Sequence, residues 1–319
     1  MKNETITGQL GDTFCIGGEA VEGHGEDSYL NLISGDRLLL AVFDGSGGLG
    51  SREYEAFDNH TGAYIASRAV CGALHDWFLR CDRFPGDEPS VQKISLAIME
   101  AYGSCTRSLK ERFSLKGSMV RDFPTTLAAA VLESEPGQFR ANVLWAGDSR
   151  VYLWDRHSLC QLTEDDAGAQ DALKNLYEDA QLTNVLSSDG KFMLHSKLLR
   201  LNRPSVLFAA TDGCFGYVPS PMDFEYLFLG CICDADSPAK MRSLLNERIR
   251  ELAGDDYSLS AGILFYDSYK SLRADAEARR KELYEDQIRK LDARRDDFQL
   301  MEQCWSGYRE RYERYLQKA

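Results

Sequence analysis

The sequence predicts a layered α+β fold, with most of the chain in one large domain. The 319 residues are 44% apolar, which is enough to form a sizeable buried core. Short apolar runs typical of strands cluster together, and long segments with apolar residues at helical spacing lie between the clusters. Strict alternation of strand and helix would instead favour a doubly wound parallel sheet. The clustering therefore favours sheets layered against helix pairs.

The first predicted elements are a buried strand and two helices. Residues 37–43 (RLLLAVF) form a short apolar run that stops at Asp44-Gly45, as a buried strand does before a glycine-rich loop. Residues 53–79 and 90–113 carry apolar side chains at helical spacing. The order strand, loop, helix pair is therefore expected for the first third of the chain.

After these helices the period of the apolar residues becomes that of strands. Short runs separated by turn signals predict an antiparallel meander, at residues 125–132, 139–146, 151–154 and 159–162. Two further strands are predicted at residues 205–210 and 258–265, with a helix over residues 237–253 between them.

The last segment, residues 268–319, is predicted to be a long helical extension of a domain that spans residues 1–267. Its apolar side chains follow the alternating three- and four-residue spacing of a heptad seam, at Tyr284, Ile288, Leu291, Phe298, Met301, Trp305, Tyr308, Tyr312 and Tyr315. One helix over residues 270–315 would span about 70 Å, so we expect a bend, at Ser306-Gly307. The pattern leaves three possibilities open: self-association as a coiled coil, docking on its own domain, or binding of a partner protein.

Composition argues against several classes of function. The net charge is −13, and nucleic-acid binding depends on clustered Lys and Arg, so no nucleic-acid partner is expected. No run reaches the ~18 apolar residues of a membrane span, and the first four residues are polar, so we expect a cytoplasmic protein without a membrane partner. The nine cysteines are scattered without a CxxC pair, which favours free thiols over disulfides or a zinc site.

Acidic residues recur beside the predicted strands. The pairs are, in chain order, Glu26-Asp27, Asp44-Gly45, Asp212-Gly213 and Asp255-Asp256. Carboxylate oxygens are the ligands that Mg²⁺ and Mn²⁺ prefer, and a glycine lets a main-chain carbonyl approach an ion. An Asp-Gly pair taken alone is also a common turn. Recurrence of these pairs in one setting nevertheless favours a cation site where the strand ends converge.

Several motifs occur in an order that resembles one family. They are Gly25-Glu26-Asp27-Ser28, Val42-Phe43-Asp44-Gly45-Ser46-Gly47-Gly48, Pro124-Thr125-Thr126-Leu127, Trp145-Ala146-Gly147-Asp148-Ser149-Arg150 with Gln161-Leu162-Thr163-Glu164-Asp165, Ala210-Thr211-Asp212-Gly213, and Asp255-Asp256-Tyr257-Ser258. Across residues 10–267 the chain resembles the metal-dependent type 2C protein phosphatases, the PPM-type serine/threonine phosphatases. The resemblance implies a sandwich of two antiparallel β-sheets flanked by helix pairs, with a two-metal site at one end.

The resemblance also implies which residues hold the two divalent cations, Mg²⁺ or Mn²⁺. Asp44 would bridge both cations, and Gly45 would offer its carbonyl oxygen to one of them. Asp212 and Asp255 would hold the other, and with Asp44 they would form the catalytic set. Two cations about 3.5–4 Å apart can turn a bridging water into hydroxide. Direct hydrolysis of phosphoserine or phosphothreonine in proteins would follow.

Three more acidic residues receive roles from the same resemblance. Glu26 would act through a metal-bound water, and Asp27 would orient the ligands. Asp148 would help to hold a third, more weakly bound cation. The family ligand lies three residues before a Ser or Thr, which favours Asp255 over Asp256, although the sequence leaves both open.

The chain departs from the family at positions near the substrate. Glu22 stands where the family usually has an arginine that grips the phosphate, so the substrate-binding residue is unknown; His24 and Arg52 are candidate replacements. Ser46 stands where the family often has His or Met, and Asp166 stands where a histidine is common. These departures keep a second hypothesis open: a weakly active or inactive phosphatase-like scaffold that binds partners through its C-terminal helix.

Overall fold

Two five-stranded antiparallel sheets form the centre of the structure, a computed structural model that describes residues 9–110, 123–168, 171–177, 181–292 and 294–316. The first sheet has the strand order β1 (Leu10–Gly18), β12 (Tyr257–Leu264), β11 (Ser205–Ala210), β8 (Arg150–Trp154) and β9 (Leu159–Gln161). The second has the order β10 (His195–Leu201), β7 (Gln138–Ala146), β6 (Leu127–Glu135), β3 (Arg37–Phe43) and β2 (Ser28–Ser34). The predicted α+β fold with two antiparallel sheets is confirmed.

Strand β3 contributes to two separate apolar cores. The side chains that pack between the sheets are Leu38, Leu40 and Val42, and those that pack against helices are Leu39, Ala41 and Phe43. All six are fully buried. A strand that is buried on both faces shows no polar alternation, which explains why the prediction for residues 37–43 matches the observed bounds.

Helices α2 (Gly62–Arg80) and α3 (Glu88–Lys110) cover the outer face of the second sheet. The chain reaches them through α1 (Gly47–Gly50), β4 (Glu53–Tyr54) and β5 (His60–Thr61). Residues 111–113, at the end of the second predicted helix, lie outside the described residues.

The predicted start of the first long helix, at residue 53, is wrong. Asp58 and Asn59 have φ angles of 55° and 62°, which lie in the left-handed region and interrupt any helix. The helix begins after Thr61, whose side chain caps it by accepting the N–H of Tyr64 at 3.1 Å. The residues before this cap instead form the hairpin of β4 and β5.

The predicted meander is wrong as a single sheet, because it is divided between both sheets. β6 pairs with β7, and β8 pairs with β9, but β7 belongs to the second sheet and β8 to the first. The chain crosses between the sheets at Gly147, whose φ of 98° suits a glycine. A hairpin pattern reports local pairing only and carries no information about which sheet the strands join.

Within the described residues, five helices cover the outer face of the first sheet. They are α4 (Pro221–Cys233), α5 (Pro238–Leu252), α6 (Tyr269–Leu283), α7 (Arg289–Asp292) and α8 (Phe298–Tyr312). The structure bears out the predicted helix at α5. We did not predict α4, whose side chains are buried on most of its surface, so that its sequence lacks an amphipathic period.

The C-terminal segment is helical, as predicted, but it is interrupted. A π-helical turn, Tyr284–Ile288, leads from α6 to α7, and the described residues 294–297 precede α8. Both interruptions lie before Ser306-Gly307, the position predicted for the bend; these two residues lie within α8, and a bend there stays a prediction. The seam residues buried in the core of the first sheet are Ile288, Leu291, Met301, Trp305, Tyr308 and Tyr312. This segment therefore docks on the sandwich, and its self-association or binding of a partner stays a prediction.

The described residues bear on three further expectations. No helix within them is long and apolar enough to cross a membrane. All nine cysteines are free, as predicted. The boundary between residues 1–267 and 268–319 falls between β12 and α6, and the division into two units stays a prediction.

Candidate active site

The acidic residues identified in the sequence gather at one end of the sandwich. Strands β3, β7 and β11 end here, and strands β2, β8 and β12 begin here. The last residue of β3, Phe43, pairs with the first residue of β2, Ser28, and the last residue of β11, Ala210, pairs with the first residue of β8, Arg150. Antiparallel pairing places the end of one strand beside the start of its neighbour. The loops at this end bring together four carboxyl groups, those of Asp27, Asp44, Asp148 and Asp212.

Asp44 and Asp212 form the centre of this acidic cluster. Burial raises the pKa of the Asp44 carboxyl well above its usual value, and the charges of Asp212, Asp27 and Asp148 raise it further. Burial also raises the pKa of Asp212, although a hydrogen bond with Asp44 opposes this rise. The two carboxyl groups are therefore within hydrogen-bond reach of each other.

Asp27 and Asp148 extend the cluster on two sides. Burial raises the pKa of each to about 8, and the charge of Asp212 contributes to both increases. Asp27 precedes β2 of the second sheet and accepts a hydrogen bond from the hydroxyl of Thr211, 2.9 Å away, at the end of β11 in the first sheet. This bond joins the two sheets at the cluster.

Two threonines hold the main chain of Asp44. The N–H of Asp44 donates to Thr126 Oγ1 at 3.2 Å, and the N–H of Thr126 donates to the Asp44 carbonyl oxygen at 2.8 Å. The hydroxyl of Thr125 donates to the same carbonyl oxygen at 2.7 Å. These contacts give a structural reason for the Pro124-Thr125-Thr126-Leu127 motif.

Glycines after Asp44 and Asp212 are required by close packing. A Cβ atom at Gly45 would lie 2.8 Å from the Cβ and the carbonyl oxygen of Glu26, and one at Gly213 would overlap the carbonyl oxygen of Asp256. Neither neighbour is the end of a flexible side chain, so neither can move aside cheaply. The glycines thus let two acidic loops approach each other across the site.

Glu26 lies beside the cluster, and its loop is held by three neighbours. Burial raises the pKa of its carboxyl, while a hydrogen bond from the Thr61 hydroxyl opposes the rise. The carbonyl oxygen of Glu26 accepts hydrogen bonds from the Ser67 hydroxyl and from Arg68 Nη1, the latter at 3.1 Å. Residues at the start of α2 therefore fix both the side chain and the main chain of Glu26.

The neighbouring residues Asp255 and Asp256 have different surroundings. The two carboxylate oxygens of Asp256 accept the N–H groups of Ala20, at 2.8 Å, and of Glu26, at 2.6 Å. Asp255 is exposed, and its charge adds to the effect of burial in raising the pKa of Asp212, whereas the charges of both Asp255 and Asp256 add to that effect at Glu26. This difference favours Asp255 over Asp256 as a cation ligand.

The chemistry of the cluster fits a divalent cation. Among the described residues, no three His, Cys, Asp or Glu side chains form a ready-made coordination shell. The gathered groups supply oxygen donors only, which suits hard cations such as Mg²⁺ and Mn²⁺. Burial, and after it mutual repulsion, raises their pKa values, and a cation would offset the cost of gathering these charges.

A pocket of about 260 Å³ opens beside the cluster. Its lining includes Asp148, Arg150, Asp165, Asn175, Asp212, Phe215 and Tyr217. Arg150 is 2% exposed and donates hydrogen bonds to Asp165 from Nε, at 2.9 Å and 3.2 Å to its two oxygens, and from Nη2 at 2.6 Å. Its guanidinium also lies over the Phe215 ring, 4.3 Å from the centroid. These contacts make Arg150 a structural partner of Asp165.

The positions that depart from the family lie in several settings. Glu22 and His24 are exposed in the loop between β1 and β2, and Arg52 lies over the ring of Tyr54 at 5.1 Å. Ser46 begins the turn of α1 with a buried hydroxyl that lacks a hydrogen-bond partner in the described part of the chain. A phosphate-gripping residue therefore stays unassigned.

Sequence reasoning missed the role of Asp166. Its carboxylate accepts the N–H of Gly147 at 3.0 Å and contacts His195 Nε2 at 3.0 Å. It thereby supports the crossing that leads to Asp148. The one feature of the sequence that points to Asp166 is its place just after the Gln161–Asp165 motif. That feature cannot predict the contact with His195 at the start of β10, almost thirty residues further along the chain.

Comparison with known families identifies the class of protein. Residues 19–252 match the family model described as Protein phosphatase 2C. The match covers more than half of the chain, so the chain belongs to the protein phosphatase 2C family. No match was found among curated protein sequences.

Solved structures with the same fold are distant in sequence. The chain is 18% identical to the serine/threonine phosphatase Stp1 from Staphylococcus aureus, with a TM-score of 0.59, covering 80% of this chain and 94% of that one. It is 19% identical to PppA from Pseudomonas aeruginosa, with a TM-score of 0.55 and coverage of 81% and 100%. It is 17% identical to the catalytic domain of PstP, solved in complex with two manganese ions, with a TM-score of 0.53 and coverage of 81% and 99%.

Proposed function

We propose that this chain hydrolyses phosphoserine and phosphothreonine residues in proteins, using water activated by two divalent cations. The observation that carries the proposal is the gathering of buried carboxyl groups from both sheets, with Asp44 and Asp212 within hydrogen-bond reach. Burying several like charges together is costly, and a cation explains why the fold accepts the cost. Membership in the protein phosphatase 2C family gives the reaction class.

The proposed ligands are those that the resemblance to the protein phosphatase 2C family implies. Asp44 would contact both cations and the carbonyl oxygen of Gly45 one of them, while Asp212 and Asp255 would hold the other. When bound, two cations lower the pKa of a shared water and stabilise the oxygens of an in-line displacement. PstP was solved with two manganese ions, which favours Mn²⁺ as the first cation to test.

The remaining acidic residues orient this centre. Thr211 holds Asp27 at 2.9 Å, and Thr61 holds the Glu26 carboxyl, so both acids face the cluster in fixed positions. Asp148 would contribute to a third, weaker cation site beside the pocket. In this proposal the protein holds the carboxylate oxygen atoms of the acidic cluster in fixed positions and binds the substrate phosphate next to them.

A second candidate function is a phosphatase-like scaffold with little or no turnover. Glu22 favours it, because a carboxylate in place of the expected arginine repels a phosphate dianion. The retained acidic cluster opposes it, because a scaffold needs no cation ligands. In that case the docked C-terminal helices would bind a partner protein.

Hydrolysis of p-nitrophenyl phosphate with added Mn²⁺ tests the proposal. We expect activity that a chelator removes and that Asp44→Asn lowers at least about a hundredfold, as losing a group that stabilises transition-state charge does. Asp76→Asn, at an exposed carboxylate of α2, serves as the matched control and should retain full activity. Full activity in Asp44→Asn would exclude this site.

Cation binding has its own readout. An ion that binds only the folded state stabilises it by mass action, so Mn²⁺ should raise the Tm of the wild type and of Asp76→Asn but not of Asp44→Asn. No increase at millimolar Mn²⁺ in the wild type would favour the scaffold.

A further inference from the structure

Helix α8 contacts a short turn that borders the pocket beside the acidic cluster. We call residues 171–177 the wall turn; Asn175 and Leu176 within it line that pocket. We propose that Trp305 and Arg309 of α8 are positioning residues for the phosphatase centre, because they hold the wall turn in place. The inference rests on the proposed function and gives a role to a segment beyond the family match.

Both carboxylate oxygens of Asp171 are held by α8. Trp305 donates its Nε1–H to Asp171 Oδ1 at 3.1 Å, and Arg309 donates from Nη1 to Oδ2 at 2.7 Å. The two donors are four residues apart, so they lie on one face of the helix. The Asp171 side chain is only 15% exposed, and a charge-assisted bond at such a site is stronger than a neutral one.

Asp171 in turn fixes the main chain of the wall turn. Its Oδ1 atom accepts the N–H groups of Leu173, at 3.0 Å, and of Lys174, at 3.2 Å. Its carbonyl oxygen accepts the N–H of Asn175 at 3.0 Å. The carboxylate that α8 holds therefore fixes the main chain of Leu173 and Lys174, directly before Asn175.

Asn175 links the wall turn to the acidic cluster. Its Nδ2–H donates to Asp165 Oδ2 at 2.9 Å, and Asp165 holds Arg150, two residues after Asp148. The Oδ1 atom of Asn175 is buried and has no hydrogen-bond partner within the described ranges. The orientation of the Asn175 amide in the pocket lining thus depends on Asp165.

A second set of contacts joins the same helix to the same region. The hydroxyl oxygen of Tyr177 lies 3.3 Å from Met301 Sδ, and the Tyr177 ring meets that of Phe298 edge to face at 5.1 Å. Near the end of α8, Tyr312 accepts a hydrogen bond from Arg150 Nη1 at 3.5 Å. Contacts along the length of α8 therefore support one side of the pocket.

Tyr308 of α8 provides a matched control. Its hydroxyl donates to the buried Glu225 Oε2 at 2.8 Å, on α4, and this bond anchors the helix away from the wall turn. Tyr308→Phe removes the anchor bond but keeps the ring. The Tyr308→Phe variant therefore distinguishes a general destabilisation of α8 from the loss of the hydrogen bonds between α8 and Asp171.

The test compares the double variant Trp305→Phe/Arg309→Gln with Tyr308→Phe in the full chain. For a phosphothreonine peptide with Mn²⁺, we expect the KM of the double variant to rise about tenfold, equivalent to the loss of one charged hydrogen bond, with a smaller change in kcat. Hydrogen exchange at the amides of residues 173–175 should become faster. Tyr308→Phe should lower the Tm while leaving KM and this exchange as in the wild type.

Three results would overturn the inference. The first is an unchanged KM in a folded double variant. The second is unchanged hydrogen exchange at residues 173–175 in that variant. The third is a change of KM and of this exchange in Tyr308→Phe that equals the change in the double variant. If the wild type lacks phosphatase activity, the proposed function fails. The exchange comparison then still decides the structural claim, because it needs no turnover.

Discussion

The N–H of Glu26 donates a 2.6 Å hydrogen bond to the carboxylate of Asp256, which lies 230 residues further along the chain. The other oxygen of this carboxylate accepts the N–H of Ala20 at 2.8 Å. One side chain before β12 thereby holds the loop that carries Glu26 and Asp27 against the acidic cluster. The position of these two acids depends on both oxygens of Asp256.

We predict that Asp256→Asn weakens Mn²⁺ binding about tenfold, because an amide has a single acceptor oxygen and one of the two N–H groups loses its partner. The dependence of Tm on Mn²⁺ concentration measures this effect. Asp256→Glu keeps the charge but moves the oxygens, so a similar loss there identifies positioning as the cause. Wild-type affinity in both variants would contradict the prediction, and the exposed Asp236→Asn is the control for charge alone.

Local patterns predicted the elements that carry the acidic residues, because each Asp-Gly pair follows a strand buried on both faces. The contacts of Asp256 and Asp171 could not be predicted this way, since they join residues far apart in the chain and leave no period in the sequence. The break before α8 did have a local signal: Asp297 caps that helix by accepting the N–H of Leu300 at 3.0 Å. We did not use this signal, because the heptad spacing continues across the break. The spacing continues because the seam residues on both sides of the break pack into the same apolar core.

A buried ion pair anchors the C-terminal helices, and its loss should be costly. Arg279 of α6 donates two hydrogen bonds of 2.9 Å to Glu225 of α4, and both side chains are at most 4% exposed. Arg279→Met leaves the Glu225 charge buried without a cation, so we expect the free energy of unfolding to fall by about 3–5 kcal/mol in urea denaturation.

The control for this prediction is Arg273→Met, on the same helix, which removes an exposed pair with Glu277 and should cost less than about 1 kcal/mol. Adding Glu225→Gln to Arg279→Met should recover part of the loss, because the amide carries no charge and still accepts the N–H of Leu159. An equal decrease in the free energy of unfolding for the variants at Arg279 and Arg273 would show that the buried ion pair stabilises the fold no more than the exposed one.

Without a cation, the acidic cluster should make stability fall as pH rises. The pKa values of Asp27 and Asp148 are about 8, against an ordinary value of 3.8. A group whose pKa is raised by folding contributes stability below its unfolded pKa and loses it as pH rises through the folded value. In EDTA we therefore expect the free energy of unfolding to decrease between about pH 4 and pH 8.

Urea denaturation at several pH values, in EDTA and in Mn²⁺, measures this dependence. Asp148→Asn should flatten the decline in EDTA, and bound Mn²⁺ should remove most of it by balancing the charge. A stability that rises with pH across this range in EDTA would contradict the assignment of these carboxyl groups to one buried cluster.

Glu22 offers a test of how far the active site departs from its family. It replaces the arginine that the family uses to hold the substrate phosphate, and it is exposed in the loop before Glu26. We predict that Glu22→Arg lowers the KM for a phosphothreonine peptide about tenfold, because a repulsive charge becomes a bidentate partner of the phosphate. Glu247→Arg, at an exposed residue of α5, is the control for added positive charge and should change KM far less. An unchanged KM in Glu22→Arg would show that another residue binds the phosphate in this chain, with Arg52 as the next position to test.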